Sequence, residues 1–169
     1  MRSTALAHIP VGVVVERRKA RSMWADFLWR PVSVLAGKTS AAPWTPLGTE
    51  GEAALFFAGE AVIELHRTET VNYRDNLNSA APALWIVLHP VTSEWPYEIL
   101  AVTADPSEGE AFTDAGSNIV EAVAMPADIV EAIGRFVAEH HVERPFVKRR
   151  RQPADPTPAR CGEERGNGK

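Results

Sequence analysis

Between Pro126 and His141 the chain carries an amphipathic pattern that restricts the folds open to it. Ile129, Ile133, Phe136, Val137 and His140 recur at spacings of four, three, one and three, which is one face of an α-helix. Pro126 suits the first helical position, where its missing N–H costs nothing, and Asp128 lies in the first turn, near the positive end of the dipole. A solvated helix with a single apolar stripe must be covered by another element, most simply a sheet. The helix leads into Val142–Arg151, where apolar Phe146 and Val147 sit inside a cationic run.

The rest of the chain supplies strands. Val11-Gly12-Val13-Val14-Val15, inside Ile9–Glu16, reads as a buried strand. Arg17–Arg21 reads as a solvated loop, and Pro31–Leu35 as a second strand ending at Gly37. Ala41–Gly51 is mostly loop by its Pro and Gly content, with Trp44 as an anchor. Ala53–Phe57 and Ala61–His66 read as two strands of a hairpin around Gly59, the second turning Ala61, Ile63 and Leu65 inward. Thr68–Leu77 is a polar helical turn or loop contacting the body through Val71 and Tyr73. Ala83–Leu88 is the most buried strand candidate, paired with Tyr97–Val102. Asp105 caps a short helix begun by Pro106 and ended near Gly116, and Asn118–Val123 is a last strand. Strands joined by tight turns, then helix, strand and helix, predict an α+β domain. Its sheet is mostly antiparallel, of about six to seven strands, flat or curled toward a barrel.

Residues 9–151 are read as a single domain with a basic arm, 1–8 as a flexible start and 152–169 as a disordered Pro- and Gly-containing tail. No apolar run approaches a membrane span and no apolar leader follows Met1, so neither a membrane partner nor secretion is expected. A lone cysteine, Cys161, suits a reducing compartment, and cytoplasm is the default. The net charge of −4 conceals a polarity: between Thr39 and Gly134 two arginines face fifteen acids, a net of −13. Positive charge gathers at the flanks, in Arg17, Arg18, Lys19, Arg21 and Arg30 and again in Arg144–Arg151. The bland reading is a solvated acidic body with basic ends; the functional one is that both flanks meet in space as one docking surface.

Patterns for catalysis fail one by one. Gly37-Lys38-Thr39 resembles the end of a phosphate loop, but Val32 stands where the first glycine is required. His140 and His141 are adjacent, whereas helical metal pairs are four apart. Glu64 and His66 read as a solvated strand face rather than an acid–base pair, and helix capping accounts for Asp105 and Glu108. No catalytic, cofactor or metal residue is assigned. The residues read as binding a partner are Arg17, Arg18, Trp24, Trp29, Arg30, Arg144, Phe146, Lys148, Arg149 and Arg150: aromatic anchors among arginines, fit for an acidic protein patch. Nucleic acid is disfavoured, because the acidic body repels it.

Four phrases recur together: Ile9-Pro10-Val11-Gly12-Val13-Val14-Val15-Glu16-Arg17-Arg18; Trp24-Ala25-Asp26 with Trp29-Arg30-Pro31-Val32; Tyr73-Arg74-Asp75-Asn76-Leu77; and His141-Val142-Glu143-Arg144-Pro145-Phe146-Val147-Lys148-Arg149-Arg150. In these the chain resembles the bacterial domain-of-unknown-function 3305 family. The resemblance implies a setting beside molybdenum-dependent formate dehydrogenases and their maturation proteins. It transfers no catalytic residue. The expectation is a non-catalytic accessory protein for such a molybdoenzyme, whose partner is an enzyme subunit or maturation factor. The alternative is a molybdopterin cofactor biosynthesis or binding protein, nucleotidyltransferase-like, using Arg17, Arg18, Arg30 and Lys38 on a pterin phosphate.

Overall fold

The computed structural model describes residues 4–142. Among these the elements are β1 (Ala7–Lys19), β2 (Phe27–Ala36), β3 (Thr45–Glu50), β4 (Ala53–Leu65), α1 (Thr70–Leu77), β5 (Ala83–Pro90), β6 (Tyr97–Thr103), α2 (Pro106–Ala111), β7 (Ile119–Ala124) and α3 (Ala127–His140). The class is α+β, as expected. The strands form two antiparallel sheets, ordered β2-β1-β4-β3 and β6-β5-β7. No barrel closes: β2 runs close to β7 and β4 close to β6, yet each sheet keeps its own ladder.

β1 is the spine of the first sheet, paired on both sides. Its alternation sends Val11, Val13 and Val15, all fully buried, into a core shared with Leu84, Ile86 and Leu88 of β5. The other face carries Gly12, Val14 and Glu16. Gly12 leaves room for the Phe57 ring, one atom of which lies 2.5 Å from where a Cβ would stand. Four expectations change here. β1 does not end at Glu16: Arg17, Arg18 and Lys19 pair with Trp29, Leu28 and Phe27, so the ladder and not residue polarity sets the strand's length. β2 accordingly starts at Phe27, four residues before Pro31. The expected hairpin around Gly59 is one strand, β4; Gly59, at φ 143°, pairs with Val13 and leaves Ala58 as a bulge, bending the strand instead of reversing it. The expected loop at Ala41–Gly51 contains β3, and Pro46 and Gly48 are tolerated because this is an edge strand.

α1 is fastened by two side chains. The Tyr73 hydroxyl accepts from the His66 N–H at 3.0 Å. Asn76 donates to the carbonyls of Ala83 (2.8 Å) and Ala104 (2.9 Å) and accepts from the Ala83 N–H at 3.0 Å. Val71, expected to touch the body, is instead exposed. Burial pushes the Tyr73 phenol up from 10.0 to about 12. Its folded value lies above its unfolded one, so its contribution is whole below pH 10 and is lost as pH climbs through 12. Alkaline unfolding of the wild type should therefore steepen in that window, and Tyr73→Phe should flatten it in a circular-dichroism titration.

The Asp105 carboxylate accepts from the Ser107 N–H at 2.9 Å with Pro106 beginning α2, as its spacing requires. Gly109 lies against Trp85 so closely that a Cβ would sit 2.4 Å from Cγ of the indole. Gly134 in α3 has nothing within 4 Å. Gly109→Ala should therefore cost about 1–3 kcal/mol by overpacking. Gly134→Ala should stabilise by about 0.5–1 kcal/mol, through helix propensity alone. Thermal melts of the two variants should move in opposite directions. α3 begins one residue later than expected, Pro126 occupying the cap position. Ile129, Ile133, Phe136 and Val137 are buried in the shared core, and His140 is half-buried, its ring 4.5 Å from that of Phe136.

Candidate functional site

At the end of β1 away from α1, the strand alternation sorts the early basic residues by face. Arg17 follows Val11, Val13 and Val15 inward and pairs across the ladder with Trp29. Its guanidinium lies 4.4 Å from the Phe27 ring centre, 5.0 Å from that of Phe56 and 5.7 Å from that of Trp29. Trp29 is the hub of an aromatic group that draws on both sheets: its centroid is 5.7 Å from Trp44, 6.1 Å from Phe56, 6.2 Å from Trp95 and 6.4 Å from Tyr97. Trp44 and Trp95 stack, 5.2 Å apart and 10° from parallel. Trp44 holds a φ of 63°, a strained conformation for a bulky residue, and its N–H donates to the Phe57 carbonyl. It is the anchor expected of it.

On the opposite face Glu16 is only 7% exposed. Arg18, two residues on, and Arg30, the cross-strand partner of Glu16, both reach the Glu16 Oε1 at 3.0 Å. A carboxylate so enclosed needs these cations to offset its lost hydration, while the arginines themselves stay more than half exposed. The structure thus brings Arg17, Arg18, Trp29 and Arg30 to one end of one sheet, but divides them between its faces. Trp24 does not join them; it stands 93% exposed on the β1–β2 turn. Arg144, Phe146, Lys148, Arg149 and Arg150 lie outside the described residues, as does the tail expected to be disordered.

The last described residues are held to α1. Arg74 Nη1 lies 2.9 Å from His141 Nε2, and Arg has no acceptor, so Nε2 supplies the lone pair. Nδ1–H then donates to Thr70 Oγ1 at 3.1 Å, tying the end of α3 to α1. His66 and His8 reach Glu64 at 3.8 and 3.9 Å on the solvent side. Among the described residues no three His, Cys, Asp or Glu side chains gather closely enough to hold a metal ion. A shallow groove of about 280 Å³ runs between β2 and β7, lined by Arg30–Val32 and Glu121–Ala124; Arg30 and Glu121 are its ionisable side chains.

Sequence reasoning did not single out Glu16, Phe56, Trp95 or Tyr97. For Glu16 a signal existed: an acid ending a β-branched run and followed at once by Arg17, Arg18 and Lys19. For the aromatic group there was none, since its members are far apart in the chain and meet only through packing.

A family model described as Protein of unknown function (DUF3305) matches residues 10–150. The chain belongs to this family. No curated protein and no solved structure matches it. Several of the phrases in which the chain resembles DUF3305 prove to be structural. Val11–Glu16 forms the spine of a sheet, Tyr73 and Asn76 hold α1 to the body, and Arg74 meets His141.

Proposed function

We propose that this DUF3305 member is a non-catalytic accessory protein that docks on a client, a molybdenum-dependent formate dehydrogenase or a similar molybdoenzyme, or one of its maturation factors. The observation behind this reading is the aromatic and arginine-rich end of the first sheet. There Arg18 and Arg30 are half exposed around Glu16 with Leu28 exposed on their face, and on the other face Phe27 is exposed over Arg17, which backs the ring cluster. Rigid aromatic surface rimmed by arginine suits a protein partner with an acidic patch, and the ladder holds it in one geometry at little entropic cost. The basic segment beyond α3 is expected to add charge to the same encounter.

The cofactor-binding alternative needs Arg17, Arg18, Arg30 and Lys38 to converge on one phosphate. Arg17 points to the opposite face from Arg18 and Arg30, which argues against it.

A photo-crosslinker in place of Leu28, in the full chain expressed in its native host, tests the reading. Crosslinks to a molybdoenzyme subunit or a maturation factor are expected. Their absence, together with a thermal stabilisation by GTP, Mg²⁺ and molybdopterin, would overturn it.

A further inference from the structure

Past the surface just described, the β1–β2 connection forms a finger of different character. Pairing of β1 with β4 ends at Arg17 opposite Ala54, whereas β1 and β2 continue to Lys19 opposite Phe27. The Ala20 N–H donates to the Asp26 carbonyl at 3.0 Å and closes the turn. At its apex Met23 and Trp24 are 94% and 93% exposed, adjacent, and the two most exposed large apolar side chains among the described residues. Lys19 and Arg21 are exposed beside them, with Asp26 the one acid of the turn.

We propose that this finger docks on an anionic lipid surface, with Met23 and Trp24 entering the boundary between headgroups and acyl chains and Lys19 and Arg21 on the lipid phosphates. A convex apolar tip ringed by cations matches a layer that is anionic outside and apolar beneath, and the indole favours that boundary. A protein partner would have to supply a pocket of matching shape, which a fluid surface does not need. The charge polarity of the chain fits as well: an anionic surface attracts the finger and repels the body, where residues 39–134 carry a net −13, so one orientation is selected. No helix among the described residues is long and apolar enough to cross a membrane, and surface docking needs none. The expectation of no membrane partner rested on the lack of a span alone. The inference goes beyond client docking and does not depend on it.

Flotation of the full chain with vesicles tests it, comparing phosphatidylcholine alone with vesicles carrying about 30% phosphatidylglycerol. Binding is expected to the anionic vesicles, to weaken as salt is raised, and to fall about tenfold in Met23→Ser/Trp24→Ala. Both side chains are solvated, so the double variant should melt like the wild type. Lys38→Ala, exposed at the other end of β2, should bind normally. Quenching of tryptophan emission by brominated lipid should occur in the wild type and disappear in Trp24→Phe. If the double variant floats as well as the wild type, the basic segment after α3 is binding instead and the proposal fails. It fails equally if neither vesicle binds, or if the apex variant loses only the capture of a client protein.

Discussion

Asn76→Ala should destabilise the fold by about 3 kcal/mol or more, the largest loss expected from any single polar truncation in the described residues. The side chain is 5% exposed and serves three backbone groups: the N–H and carbonyl of Ala83 and the carbonyl of Ala104. Alanine removes the partners and leaves those groups in a space too enclosed for full hydration, at a cost of about 1–3 kcal/mol for each group left bare. The contacts also join α1 to the start of β5 and to the junction between β6 and α2, so the loss spreads over three elements. Asn76→Asp separates the terms. It keeps the acceptor for the Ala83 N–H but turns a second oxygen, or a buried charge, toward two carbonyls; it should be at least as damaging as alanine at neutral pH. Urea unfolding would read both, and an unfolding free energy within about 0.5 kcal/mol of wild type for Asn76→Ala would contradict the account.

Trp29→Ala should cost about 3–5 kcal/mol. It is in ring contact with Phe27, Trp44, Phe56, Trp95 and Tyr97, so its removal opens a cavity where the two sheets meet. Two further effects follow from the geometry. Arg17 loses one of its three aromatic partners, and the Trp44–Trp95 stack loses the Trp29 ring that contacts both of its members. Near-ultraviolet circular dichroism should consequently lose intensity beyond the share of one indole. Trp24→Ala supplies the contrast: with 93% of that residue already exposed, the melting temperature should hardly move. A similar loss from both substitutions would mean that Trp24 is packed in solution.

The uneven legibility of the fold has physical grounds. α3, the capped start of α2 and the pairing of Ala83–Leu88 with Tyr97–Val102 were readable because each rests on local periodicity or capping chemistry. The lengths of β1 and β2 were not, because Arg17, Arg18 and Lys19 look like loop residues until their cross-strand partners are known. At Gly59 the same conformational freedom serves a turn or a bulge, and only the neighbouring strand decided for the bulge. Of the candidate site, the basic and aromatic residue types were legible, but not which face each would occupy.

By itself the amino-acid order determined the class of the fold, the family, the polarity of charge and the inward-facing set Ile129, Ile133, Phe136 and Val137, because these depend on composition and on a period of 3.6 that the segment carries alone. Tertiary structure alone decided that Glu16 is enclosed between Arg18 and Arg30, that Trp29 is locked among rings from both sheets, and that Trp24 is left on an unsupported turn. Those outcomes depend on ladder register and on contacts between distant segments. One residue of slip in the pairing of β1 and β2 would exchange the faces, and nothing local to either strand forbids it.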